Sequence, residues 1–310
     1  LHLQMNDTII KDLLETIADI TGEVKGAYNL RSNGCGVERR SSENIKITPK
    51  EDKPGIDINV KPNTKGEMVH IPVVITEDNI NDLVYNDFYI GENADVTIVA
   101  GCGIHNDGCG TSEHDGIHTF YIGKNAKVKY VEKHYGEGSV QSTKILNPTT
   151  IVHMEENSYC EMEMTQIKGV NSTQRETEAN IGKDAKLIIN EKLMTHANQV
   201  AHSNISGNLD GKGAVLQIVS RSVAKDNSVQ VFHPVAIGNE KCKAHVQCDS
   251  IIMDHAKVSS IPEIQANHTD AQIVHEAAIG RINNEQLLKL ETFGLSEEEA
   301  EEVIVEAFLS

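Results

Sequence analysis

The chain has 310 residues, with 28 Lys and Arg against 46 Asp and Glu, six cysteines, fourteen histidines and no tryptophan, for a formal charge of −18. That length supplies one or two domains with a sizeable core, and the acidic balance argues against nucleic-acid binding, which needs Lys and Arg to displace counterions. No stretch approaches the ~18 consecutive apolar residues of a membrane span, so neither nucleic acid nor membrane is expected as a partner.

Residues 1–28 are expected to form an N-terminal helical segment. Within it, TIIKDLLETIADIT (8–21) places Ile10, Leu13, Leu14 and Ile17 on one helical face. Asp7, Lys11, Asp12 and Glu15 interrupt its apolar positions, unlike a signal peptide. The expected location is therefore cytoplasmic, with the cysteines present as thiols. From 29 to 75 the chain is polar and punctuated by Pro49, Pro54, Pro62 and Pro72, with strand candidates at 43–47, 56–60 and 68–75.

A repeat follows. YIGENADVTIV (89–99) recurs as YIGKNAKVKYV (121–131) and as NIGKDAKLIIN (180–190), with weaker copies at 153–163, around 214 and 242, and at 268–278. The small residue after each turn falls at Ala94, Ala126, Ser158, Ala185, Ala214, Cys242 and Ala271, at intervals of 32, 32, 27, 29, 28 and 29. Each unit joins a turn signal, Gly-x-Asn/Asp-Ala, to short alternating strands, and no unit has room for a helix plus two strands. The spacing predicts a mainly β fold, a parallel β-helix over residues 29–280, right-handed because parallel crossovers almost always are. Aromatics at 4% also suit stacked coils filled by aliphatic residues. Residues 281–310 read as a helical hairpin: Asn284 opens its first helix, Gly294 stops it, and Ser296 with Glu299 forms a capping box for the second. Ala300, Val303, Ile304, Ala307 and Phe308 would form one apolar face. Both helical flanks are candidate caps for exposed solenoid ends.

Chemistry-bearing residues concentrate in AGCGIHNDGCGTSEHDGIH (100–118), which holds Cys102, His105, Cys109, His114 and His118. Thiolate and imidazole ligands suit zinc or iron–sulfur chemistry, although no Cys-x₂-Cys pair occurs. In a solenoid, residues one coil apart are neighbours, so Cys102 is expected beside His134, each eight residues past its turn marker. A separation of 27 likewise brings Cys248 near His275 and Glu276. Such a convergence of thiol, imidazole and carboxylate on one wall would bind iron transiently; His105 and His134 are weaker metal candidates. Cys160 and Cys242 read as core residues. No phosphate loop of the Gly-x₄-Gly-Lys-Ser/Thr type is present, and a polysaccharide-cleaving β-helix would need sugar-stacking aromatics that this chain lacks.

Here the chain resembles the SufB/SufD family of iron–sulfur cluster assembly scaffolds. The likeness runs through residues 26–75, VQCDSIIMD (246–254) and, most specifically, HEAAIGRINNEQLLKLETFGLSEEEAEEVI (275–304). It implies a parallel β-helix whose C-terminal helices, residues 283–310, dock a SufC-like ABC-type ATPase. It also implies a role for Cys248, His275 and Glu276 in cluster assembly, and His275-Glu276 leans towards SufB. A family cysteine that accepts sulfur resembles Cys102, and Cys109 is a second candidate. The expected function is a scaffold rather than an enzyme. It would take sulfur from a cysteine desulfurase or other donor, hold an iron–sulfur cluster transiently, and work as a homodimer or with a SufD-like subunit. The alternative is a zinc-binding structural or interaction solenoid using Cys102, Cys109 and nearby histidines.

Overall fold

The computed structural model describes residues 8–310, so the first seven residues of the expected helical segment lie outside the described residues. Two long sheets run the length of the molecule, and every pairing is parallel except in two hairpins at the N-terminal end, Ala27–Ser32 with Cys35–Arg40 and Ile45–Pro49 with Gly55–Val60. Beyond its hairpin the first sheet stacks eight parallel strands: Glu67–Ile75, Asp95–Asn106, Lys127–Gly138, Tyr159–Lys168, Lys186–Thr195, Ala214–Ala224, Cys242–Ile252 and Ala271–Gly280. The second sheet supplies the other limb of each coil and ends at Lys257–Ser260 and Glu263–Ala266. The chain is a parallel β-helix, and eight rungs at ~4.8 Å make a stack about 34 Å tall.

The repeat markers lie in register. Lys127 faces Asp95 and Tyr159, Lys186 faces Tyr159 and Val215, and Cys242 faces both Ala214 and Ala271. The turn motif divides its labour between two residues. Asn93, Asn125, Asn157 and Asp184 take the left-handed conformation at φ 61°, 61°, 58° and 54°. The glycines two residues earlier are there for close approach: a Cβ on Gly123 would lie 2.7 Å from the Ile90 carbonyl oxygen, and one on Gly182 2.6 Å from that of Met154. The asparagines also bond rung to rung. Asn125 donates to Asn93 at 3.1 Å and receives from Asn157 at 2.8 Å. Asn125→Ala should therefore cost about 2 kcal/mol in denaturant unfolding, from left-handed strain plus two lost amide bonds. Asn125→Gly, which removes only the bonds, should recover part of that loss.

The helical flanks do not cap the ends. Helix α1 (Thr8–Ala18) lays Ile10, Leu13, Leu14 and Ile17 against Val74 and Val99 on the outer face of the first sheet. Gly101 and Gly103 leave room for it, since a Cβ at either would meet Ile17 or Leu13 at about 3.0 Å. The N-terminal end is closed instead by the two hairpins. At the other end, α2 (Asn284–Thr292) and α3 (Glu297–Leu309) form the expected hairpin, with Gly294 at φ 93° and Ser296 capping Glu299 N at 3.1 Å. The cap of α2 is Asn283, one residue earlier than expected. Helix α3 packs sideways through Val305 and Leu309 on Val223 and Met253. The predicted apolar face is thus split: Ala300 is buried and Phe308 packs against the same cluster, while Val303 and Ala307 are exposed, and Leu288 and Phe293 of the hairpin are 61% and 75% exposed. Among the described residues the last coil is uncovered: Ala271–Gly280 pairs only with Cys242–Ile252, and Ile261, Ile264, Val274 and Ile279 are exposed on it. Among the described residues, no helix is long and apolar enough to cross a membrane.

Candidate functional site

Strand alternation sorts the candidates by face. Cys102 points inward, 1% exposed, directly across from His134 on the next rung, as the coil spacing implied. Cys109 is exposed on the following turn. His105 points outward, its ring nitrogens 2.8 Å from carboxylate oxygens of Asp107 and Glu137. His105 and His134 therefore stand on opposite faces of the sheet. The residues suggested for a zinc module are likewise divided between interior, turn and outer surface. Among the described residues, no group of three or more His, Cys, Asp and Glu side chains is arranged to hold a metal ion.

At the open end Val246 faces His275, Gln247 faces Glu276, and Cys248 faces Ala277. Cys248 and His275 thus share the inner face on adjacent rungs. Glu276 does not join them: one residue on, it turns to the outer face, where its carboxylate lies 3.5 Å from His245 Nε2. The thiol and imidazole share one wall and the carboxylate does not, because one coil here is 29 residues rather than 27: His275, 27 past Cys248, keeps its parity, and Glu276, 28 past it, reverses it. Cys248 is 1% exposed, with Ser250 Oγ 3.9 Å from its sulfur. Burial pushes its thiol up, against the opposing hydrogen bonds of Ser260 and Ser250. His275 Nε2 is buried without a hydrogen-bond partner.

The register also links two of the four buried cysteines, Cys102 and Cys248. One inner column runs Cys102, His134, Gln166, Leu193, Ser222 and Ser250. Its neighbour, two residues back along each strand, runs Ala100, Glu132, Met164, Glu191, Ser220 and Cys248. The cysteines are five rungs apart, about 24 Å, and polar groups share the interior between them with Met164 and Leu193. Arg175, from the opposite sheet, donates to Glu132 at 2.6 Å and lies 3.9 Å from Glu191, which accepts from Ser203 at 2.9 Å. Tyr130 OH donates to Glu132 at 2.9 Å, so it accepts from His118 Nδ1 at 2.8 Å, leaving His118 Nε2 to accept from Asn86 at 3.2 Å. This core network escaped the sequence reading. Its signal was there, since Tyr130, Glu132 and His134 continue the inward parity of Val128, and charge at a core-facing strand position needs a partner.

Electrostatics follow from that burial. Desolvation opposes charge on Glu132, but Arg175, with the imidazoles of His134 and His118, outweighs it and holds the carboxyl well below its usual range. Glu191, farther from the guanidinium, is pushed up by burial. Burial lowers His118 and His134 to about 4 despite the pull of Glu132, so both are neutral at pH 7. In the unfolded chain they titrate near ~6.5, where the folded state still binds fewer protons. Stability should therefore fall as pH drops from about 6.5 towards 4. Denaturant midpoints measured across that window, with His118→Gln flattening the slope, check the assignment.

A parallel β-helix with buried thiols, imidazoles and carboxylates along its axis and one unpaired end is the class of protein these observations define. The comparisons place it more closely. Residues 78–308 match the family described as SUF system FeS cluster assembly, SufBD core domain, and the chain belongs to that SufB/SufD family. It is 31% identical over 245 residues to an iron-sulfur cluster assembly SufBD family protein of Methanocaldococcus jannaschii, covering 78% of this chain and 76% of the relative. A SufBD family protein of Archaeoglobus fulgidus is 25% identical over 274 residues, 88% of this chain and 73% of that one. One from Methanothermobacter thermautotrophicus strain Winter is 26% identical over 240 residues, and the match spans 57% of its length.

Proposed function

We propose that this chain is a scaffold on which sulfur and ferrous iron combine into a nascent iron–sulfur cluster that is then passed on. The cluster is cargo rather than a resident cofactor, and the chain has no substrate turnover of its own. The observation that carries this reading is the polar interior joining buried Cys102 to Cys248 at the open end, with the unpartnered His275 Nε2 beside it. Of the two candidate sulfur acceptors, Cys102 opens on that interior, whereas Cys109 lies outside on the turn. Sulfur supplied by a cysteine desulfurase or another donor would pass along the polar columns to Cys248. There iron binding lowers the thiol pKa and prepares the thiolate. Cys248 and His275 offer ligands from the inner face, and Glu276 offers a carboxylate from the outer face of the edge strand. Cys248 and His275 would hold the cluster at the rim, where a second copy or a SufD-like subunit pairs with the free edge of Ala271–Gly280 and completes the ligand set, Glu276 joining from the outer face only as that edge strand rearranges on pairing.

Energy comes from a SufC-like ATPase docked on the C-terminal hairpin. Residues 283–310 carry eight glutamates against Lys289. Their outward apolar side chains, Leu288, Phe293 and Val303, suit a basic, partly apolar groove. Leu288→Ser with Phe293→Ser should abolish co-purification of the ATPase and leave the circular dichroism of the β-helix unchanged. The scaffold role is tested by anaerobic reconstitution with ferrous iron and sulfide. Visible charge-transfer absorption and transfer to an apo-acceptor are expected, and a colourless protein holding only zinc would overturn the reading.

A further inference from the structure

The N-terminal end of the solenoid, although closed by hairpins, is notched. A cleft of about 210 Å³ opens between the Cys35–Arg40 strand, the segment at Lys50–Gly55 and the first rungs. Arg31, Arg39, Lys50 and Lys53 line it, and no carboxylate does among the described residues. In a chain of formal charge −18, a lining whose charged side chains are all cations stands apart. Two of the four are neutralised from outside the lining: Arg31 by Asp82 at 2.7 Å, and Lys50 by Asp57 and Asp87, both at 2.6 Å. The other two are exposed and held by neutral groups. Arg39 donates to the Asn29 amide oxygen at 2.9 Å, and the Lys53 ammonium sits 4.5 Å from the centre of the Tyr85 ring. Their charge is available to an incoming anion.

The cleft backs onto the interior. Ile71 and Val73 form its floor and also line the cavity at Cys102, shared with His114, His118, Glu132 and His134. Arg31 faces Val73, and Val73 faces Cys102, so the guanidinium column is two rungs, about 10 Å, from the thiol. The Cys102 cavity is about 20 Å³, room for one water-sized atom. Into that interior one basic nitrogen is left over: His134 Nδ1, buried and unpartnered, on the residue that faces Cys102.

We propose that this cleft binds a small sulfur anion of the inorganic polysulfide class and delivers its sulfane sulfur to Cys102. The proposal rests on the scaffold reading and names its sulfur donor as a soluble anion. Sulfur transfer is a displacement. The Cys102 sulfur attacks a sulfane sulfur and a new S–S bond forms on Cys102. The S–S bond behind that sulfur breaks in the same step, and the shortened polysulfide leaves with the electron pair and takes up the thiol proton, with the neutral His134 ring on the facing residue as a hydrogen-bond acceptor. The polysulfide supplies the sulfur already at the required oxidation level, so no external oxidant is needed. The nearest carboxylates, Asp82 and Glu132, are paired with Arg31 and Arg175, and burial, with their residual field, keeps the resting Cys102 thiol protonated.

The test uses the full chain, sodium tetrasulfide as the anionic probe and methyl methanethiosulfonate as a neutral one of similar size, with site-resolved mass spectrometry of Cys102. Arg39→Glu with Lys53→Glu, at two exposed positions, should slow sulfur addition by tetrasulfide about tenfold. The same pair should change the neutral reagent's rate less than about twofold, and added salt should slow the wild type towards the variant. Equal tetrasulfide rates in variant and wild type, or a Cys102 that neither reagent reaches, would overturn the proposal. Slowed transfer from a desulfurase persulfide with an unchanged tetrasulfide rate would overturn it too, making the cleft a protein-docking surface. Cluster formation from free sulfide, which bypasses the cleft, reports separately on the scaffold reading, so the two can fail independently.

Discussion

Cys248→Ala and His275→Ala are each expected to lower cluster yield in anaerobic reconstitution by more than about tenfold, the range in which even an outer contact to a metal is felt. The reason is local. The Cys248 thiol is buried and pushed towards its protonated form, so it becomes a ligand only when a cation sits beside it. The group placed to bring that cation is His275, whose Nε2 is already desolvated and without a partner. Both variants should fold, because the alanine at 248 loses one sulfur atom from a packed wall and His275 lies on the uncovered rung. Absorbance of the reconstituted protein, with circular dichroism as control, reads the result. Wild-type yield in both folded variants would move the site to the Cys102 end.

Arg175→Leu is expected to destabilise the β-helix by about 3–5 kcal/mol, the cost of breaking a buried ion pair from one side. Glu132 is 3% exposed and accepts from Arg175 and Tyr130; without the guanidinium its charge would be stranded in the interior and it would take up a proton instead. Arg175→Leu combined with Glu132→Leu should recover part of the loss, since a matched apolar pair no longer strands a charge. Urea midpoints for the three variants decide this, and equal midpoints for Arg175→Leu and wild type would contradict it.

The coil was legible because seven turn markers repeat at almost equal spacing, and register in a solenoid is a property of spacing. The Cys102–His134 pairing followed directly. What spacing cannot supply is parity at a site one residue from its expected partner. One coil here is 29 residues, so Glu276, 28 past Cys248, faces Gln247 instead, and that single step turns the carboxylate outward. The caps were misread for a different reason. Amphipathic helices announce that they bury a face, not which surface receives it. Gly101 and Gly103 were the clue that α1 lies across the flank, since only there does a helix need strands without side chains. The Arg175 network was hidden because its members come from different sheets and lie up to 117 positions apart, from Asn86 to Ser203.

The unpaired last coil gives the molecule a direction. In a stack where each layer leans only on its neighbours, the opening free energy is lowest at the end with one neighbour. The Ala271–Gly280 strand is that end, while the opposite one is stitched by two hairpins. Cys248 belongs to the layer beneath it, so one fraying event bares the thiol without loosening the rest. Cargo built there can depart through the breathing of a single layer, and the charged interior keeps its shape for the next round.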